Sequence, residues 1–334
     1  MKIVLVMAGD EEGGLEKHVI EMANGFSARG HQVAVVAHAK YAGRFSPGVR
    51  VLPVNLARGR RNLIALWQLW RALRASGAAV VHAHGSKAAS MVGMLLPWLG
   101  MASVATLHSR KKQVGMFRRF QRVIAVSRIS TLNLEHPGVR VIHNGIVPPA
   151  PVAQPAADAW AGLSGGPRVL AVGRLVPVKG FDVLLHAWRD VPGDLAIAGD
   201  GFEQAELEAI IAAQGLSGRV RLLGHRSDVT ALMAAADLFV ISSRYEGCPY
   251  TLVEALHMRL PVVSTAVGAM PEILPGQYLC PPDDAAALAG LIARTLSRPD
   301  VLQDDFAPVF QQAARELTFD ALLDQTGAVY QELA

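Results

Sequence analysis

Two glutamates, Glu246 and Glu254, stand eight positions apart within residues 238–272, LFVISSRYEGCPYTLVEALHMRLPVVSTAVGAMPE. An apolar run at 238–241 precedes them and another at 261–263 follows. The order predicted is strand, loop, helix, strand, with Glu246 in the loop and Glu254 in the helix. Pro249 suits a first helical position, where a missing N–H costs little. The amides of such a helix start are suited to a phosphate. Two carboxylates beside it could accept paired hydroxyls, as on a sugar and a ribose. Upstream, Arg174 follows the apolar run RVLAVG and Lys179 opens the next predicted helix. Two cations at a helix start oppose its dipole unless an anion sits there. The combination implies a nucleotide-sugar site.

The elements that must position these groups alternate along the chain. IVLVM, VAVVA, VRVLPV, AVVHA, SVATL and RVIAV are strand candidates in the first half, with helices near 15–28, 62–75 and 87–96. RVLAVG, DLAIAG, RVRLLG, DLFVIS and LPVVS restart the pattern in the second. Such alternation predicts parallel doubly wound sheets. The Pro- and Ala-rich stretch 147–158 reads as the linker. Residues 88–107 carry no charge, but Gly93, Pro97 and Gly100 interrupt them. They read as a buried helix, a turn and a buried strand rather than a membrane span. The start, MKIVLVMAGDEE, is too short in its apolar part and too acidic after it for a signal peptide.

Composition narrows the setting. The chain has 334 residues and is 51% hydrophobic, enough for two cored domains. Two cysteines, Cys248 and Cys280, give neither a disulfide framework nor metal spacing, consistent with a reducing compartment. Residues 1–148 hold 20 Lys and Arg against 6 Asp and Glu, a net of +14; residues 149–334 hold 12 against 22, a net of −10. A basic first half suits an anionic membrane or acceptor. Arg58, Arg60 and Arg61 form one cluster, and Arg110, Lys111, Lys112, Arg118, Arg119 and Arg122 another. Neither cluster is expected to offer stacking aromatics, which disfavours nucleic acid.

His82 and His84 form H-x-H on one strand face and could bind metal, although no further ligands follow in the order an amidohydrolase needs. His84 could equally line an acceptor site. Gly13 and Gly14, between the first strand and first helix, permit close ligand approach. Gly199, Asp200 and Gly201 read as a turn or a ligand contact. No D-x-D occurs, so the two cations and a helix start are expected to replace a divalent ion.

The E-x7-E segment resembles the signature of retaining glycosyltransferases of family 4 (glycosyltransferases group 1). VGRLVPVKGFDVLL, IAGDGFEQAEL and VRLLGHRSDV resemble the same family in the same order, as do EGGLEKHV, VVHAHGSKA, TLHS and VIAVSR…VIHNGI in the first half. The resemblance implies a GT-B architecture: an α/β protein of two Rossmann-like doubly wound parallel-sheet domains facing a central cleft. Residues 1–147 would bind the acceptor and 148–317 the donor, with a last helix within 318–334 packing on the first domain. His108, Glu246, Arg174 and Lys179 would be catalytic. Gly14, Gly173, His225, Arg226, Tyr250, Thr251, Leu252 and Glu254 would complete the donor site, and Gly13 and His84 the acceptor side. Asn144 and Gly145 would shape the domain crossover.

The donor implied is a UDP- or GDP-linked sugar, with no cofactor and no metal. The acceptor implied is a saccharide or lipid-linked glycan, made for the cell envelope (lipopolysaccharide or polysaccharide). The expected location is cytoplasmic, peripheral at the inner membrane face. CPY after Glu246–Gly247, where many relatives have Phe-Gly, leaves the sugar open. A dehydrogenase would need G-x-G-x-x-G after the first strand, which is missing. A sugar-nucleotide epimerase of the same fold and a non-catalytic sugar-nucleotide-binding subunit of a membrane assembly compete with the transferase reading.

Overall fold

The computed structural model describes residues 1–9 and 13–333; Glu12 of the EGGLEKHV motif lies outside them. The chain divides into two compact units, one formed by Met1–His143 and Asp320–Ala334, the other by Asn144–Phe319.

Among its described residues the first unit holds seven strands: β1 (Lys2–Met7), β2 (Gln32–Ala37), β3 (Val49–Pro53), β4 (Val80–His84), β5 (Ala102–Leu107), β6 (Arg122–Ala125) and β7 (Val139–Val141). They lie in the order β3-β2-β1-β4-β5-β6-β7, and all their pairings are parallel. Helices α1 (Gly14–Ala28), α2 (Leu63–Ser76) and α3 (Gly85–Leu95) cover the sheet. The central strands are buried on both faces, so β1 is apolar after Lys2, while β4 (VVHAH) carries the buried His82 and His84. Asn62 caps α2 by accepting from the Ala65 amide at 3.0 Å. The uncharged stretch 88–107 is most of α3, a turn and β5, and no helix among the described residues is long and apolar enough to cross a membrane.

The second unit contains β8 (Arg168–Val172), β9 (Asp194–Ala198), β10 (Val220–Leu222), β11 (Leu238–Ile241), β12 (Val262–Thr265) and β13 (Leu279–Cys280), in the parallel order β10-β9-β8-β11-β12-β13. Its helices are α4 (Phe181–Ala187), α5 (Gln204–Ala213), α6 (Val229–Ala235), α7 (Tyr250–His257), α8 (Met270–Ile273), α9 (Ala285–Leu296) and α10 (Pro299–Glu316). The stretch 147–158 is not a boundary. The division falls earlier, at His143–Asn144, because Asn144 donates to the Cys248 carbonyl at 2.6 Å and the Ala156 amide to Ala231 at 3.0 Å.

A final helix, α11 (Phe319–Gln331), belongs to the first unit from Asp320 onward. Arg29 bonds Asp320 and Asp324, Arg122 bonds Glu332, and Tyr330 is fully buried. Arg122 is therefore committed to this helix and leaves the basic cluster.

Candidate functional site

In open parallel sheets, ligands sit beyond the carboxyl ends of strands where the winding direction reverses. In the second unit that point lies between β8 and β11. β8 leads into Gly173 and exposed Arg174, and β11 into the loop carrying Glu246. Lys179 does not open a helix. It ends a 3-10 turn, Pro177–Lys179, and Gly180 separates it from α4. Gly180 has φ +64°, and a Cβ there would run into the Ser242 carbonyl, so the two loops pack backbone to backbone.

That contact brings Lys179 to Glu246. Lys179 Nζ donates to Glu246 Oε1 at 2.6 Å, and Ser243 Oγ donates to the same oxygen at 2.8 Å. The Lys179 stem passes over Gly173, whose absent side chain leaves room for it. Arg244 braces the loop from the other side. It bonds both oxygens of Asp182, at 2.9 and 2.7 Å, and also Asp283.

Beyond the loop, Pro249 is the cap residue of α7 rather than its first helical residue, because its ψ of 137° is extended. The Leu252 amide already donates to the Pro249 carbonyl at 3.2 Å. It is therefore occupied and not an open donor. Tyr250 and Thr251 are the first two residues of the helix. Glu254 sits one turn in and is half-buried, between fully buried Val253 and Ala255.

His225 and Arg226 follow β10, at the sheet edge. His225 is exposed, while Arg226 grips Asp228 through two bonds of 2.7 and 2.6 Å. That bond holds the Asp228 carboxyl below its usual range. Arg226 is thus already paired. Gly199 approaches Gly173 so closely that a Cβ would overlap its carbonyl, which makes the 199–201 segment a packed turn. Asn144 and Gly145 are packed against Cys248 and Thr318.

In the first unit a second cluster forms at the ends of β4 and β5. His84 ends β4 and His108 follows β5, and His84 Nδ1 lies 3.3 Å from His108 Nε2. His18 reaches in from α1, its ring centroid 4.9 Å from that of His108. His82 stacks on His84 at 4.1 Å, and its nitrogens stand 2.6 Å from Thr106 Oγ1 and from Tyr330 Oη. Burial lowers His18 to about 4, and burial with the neighbouring His18 lowers His82 to about 3. Burial and the other rings push His84 and His108 well below the usual range. Burial thus favours the neutral form of all four rings. Gly13 is the extended cap of α1 and Gly14 its first residue.

The pattern of residues singles out the two glutamates, the two cations and His108. It misses Arg244, Ser243, Asp182 and Tyr330. It sets His82 beside His84 on one strand face, whereas His18 and His108 are the residues whose nitrogens converge on His84. The only sequence signal for His18 is its place inside the motif EKHV.

Residues 166–298 match the family model described as glycosyl transferases group 1, and residues 12–148 that of glycosyltransferase family 4. The chain belongs to the group 1 glycosyltransferases of family 4. Among relatives of this family, the phosphatidyl-myo-inositol mannosyltransferase of Mycobacterium leprae is 29% identical, over 97% of this chain and 94% of that protein. The lipopolysaccharide core biosynthesis glycosyltransferase LpsE of Rhizobium meliloti is 40% identical over 100 residues, 30% of this chain and 29% of that one. The chain spans about half the length, or less, of the first curated relatives it matches. The fold is that of GT-B glycosyltransferases. The crystal structure of Anabaena Alr3699/HepE in complex with UDP matches all of both chains, with a TM-score of 0.83 and 22% identity.

Proposed function

We propose that this glycosyltransferase is a retaining, metal-independent enzyme that moves a sugar from a UDP- or GDP-linked donor to a saccharide or lipid-linked acceptor of the cell envelope. The observation that carries this reading is the Lys179–Glu246 pair at the β8/β11 reversal, beside the start of α7. Lys179 and exposed Arg174 are the cations for the leaving diphosphate, whose charge grows as the glycosidic bond breaks. Glu254 accepts from the ribose hydroxyls. Glu246 accepts from the sugar and is held for that by Lys179 and Ser243, which makes it a poor nucleophile. A front-face route, in which the departing phosphate takes the acceptor proton, therefore fits better than a covalent intermediate. His108 is assigned to the transferred sugar, Gly13 and His84 to the acceptor side.

The membrane is the favoured location of the acceptor. Residues 22–134 contain no aspartate or glutamate. Leu63, Ile64 and Trp67 are 80%, 56% and 54% exposed on one face of α2, beside Arg58, Arg60 and Arg61, and Arg71 stacks on Trp67 at 4.8 Å. An apolar face ringed by arginine suits the interface of an anionic leaflet. The mycobacterial relative's name, which specifies a phosphatidylinositol acceptor, agrees with a lipid surface.

A calorimetric panel of nucleoside diphosphates and their sugars tests the donor assignment, and transfer assayed with and without EDTA tests metal independence. Failure of every UDP- and GDP-linked donor to bind, or loss of transfer with chelator and rescue by magnesium, overturns the reading.

A further inference from the structure

Among the described residues, His18, His84 and His108 each offer a ring nitrogen, and these atoms all lie within 4.8 Å of one another. They come from three elements, α1, β4 and the exit of β5, so the fold itself assembles them. His84 Nδ1 and His108 Nε2 are 3.3 Å apart. Two nitrogens bound to one zinc at about 2.0–2.1 Å and a tetrahedral angle stand about 3.3–3.4 Å apart. That pair therefore already has the spacing a shared metal imposes. His82 is not a fourth ligand, because both its nitrogens are engaged by Thr106 and Tyr330; it stacks behind His84 and fixes that ring.

Imidazole binds a metal in its neutral form, and protons compete for the same lone pair. On binding, the proton now shared between His84 and His108 moves to the far nitrogen of its ring, and both facing lone pairs turn to the ion. Three protein ligands leave one position for water.

We propose that His18, His84 and His108 form a binding site for a zinc-class transition-metal ion, and that its occupancy switches transfer off by capturing the ring nitrogen of His108. The inhibitory part rests on the assignment of His108 to the transferred sugar; the binding part does not.

The test is titration of the full chain, stripped of metal, with zinc by calorimetry and with cobalt(II) by visible absorption. One equivalent at micromolar affinity or tighter is expected, with the absorption of a four-coordinate cobalt site. His18→Ala, which spares the groups assigned to transfer, should weaken binding by more than about 100-fold, beyond what loss of an outer partner costs. It should transfer sugar without zinc and resist inhibition by it. His186→Ala, on the exposed surface of the second unit, should bind zinc as the parent does. Should His18→Ala fail to fold, as judged by circular dichroism, His18→Gln takes its place. No saturable uptake, or uptake equal in the His18 variants, overturns the site. Zinc that binds at the triad yet leaves transfer intact overturns the inhibition. A UDP titration of the second unit's site, run on the same protein, separates these failures from failure of the donor assignment.

Discussion

Lys179 Nζ lies 2.6 Å from Glu246 Oε1, across 67 positions of sequence, with the two side chains only 20% and 12% exposed. In the proposed donor mode, a cation so placed is already fixed before the diphosphate arrives, and little reorganisation remains for the transition state. Lys179→Ala and Arg174→Ala should each lower kcat by about 10²–10³-fold. The dissociation constant of the intact sugar nucleotide, read by calorimetry, should change far less. Equal losses in both quantities would show that the two cations serve binding alone.

Glu254→Ala should weaken nucleoside diphosphate binding by about 1.5–3 kcal/mol, the range for a hydrogen bond to a charged group. Titration of parent and variant with UDP and GDP measures it directly. An unchanged affinity for the better nucleotide would remove Glu254 from the ribose.

Arg244 is a bracing residue that ties Asp182, Asp283 and the Pro177 carbonyl together. Arg244→Ala leaves Asp182 and Asp283 without their shared partner and should cost about 1–3 kcal/mol in urea unfolding. It should also loosen Glu246 and so lower kcat at unchanged pH. A variant as stable and as active as the parent would mean that the loop needs no brace.

Vesicle sedimentation tests α2. Each engaged basic side chain contributes about 1 kcal/mol near an anionic surface, screened over about 8–10 Å. Binding to anionic vesicles should fall steeply with salt, and Trp67→Ser with Leu63→Ser should weaken it even at low salt. Equal binding to neutral lipid, or no effect of the double change, would refute this docking face.

Burial pushes the Cys248 thiol up to about 12 and the Cys280 thiol up to about 11. Both lie above the unfolded thiol value of about 8.5. As pH rises past that value, the unfolded chain loses these protons first, so stability present below it declines toward pH 11–12. Below that window, a disulfide reagent near pH 8 should label neither thiol until denaturant is added. Rapid labelling of the folded protein would contradict the burial.

Long apolar strands and the two glutamates are readable from sequence because each signal is local. The Glu246–Glu254 spacing spans one loop and one helical turn, β11 is a continuous apolar run, and β1 is one after Lys2. β7 and β13, three and two residues long, are too short to show a period. Arg226 resembles a donor contact in sequence because its pairing with Asp228 depends on a turn geometry that composition does not reveal. The open amide expected at Leu252 is consumed by the cap geometry of Pro249. The histidine cluster joins positions 18, 84 and 108: the parallel pairing of β4 with β5 brings the last two together, and α1 adds His18.

The return of α11 to the first unit gives the chain a nested connectivity with consequences during synthesis. Residues 144–319 leave and rejoin at one place, where Ile146 pairs with Thr318. A ribosome therefore completes the second unit before the residues that finish the first have emerged. Until Tyr330 is released, His82 lacks its 2.6 Å partner, and the histidine cluster has no closed wall behind it. On the nascent chain, the second unit can mature first and the first unit last, although the first unit's strands are translated earliest.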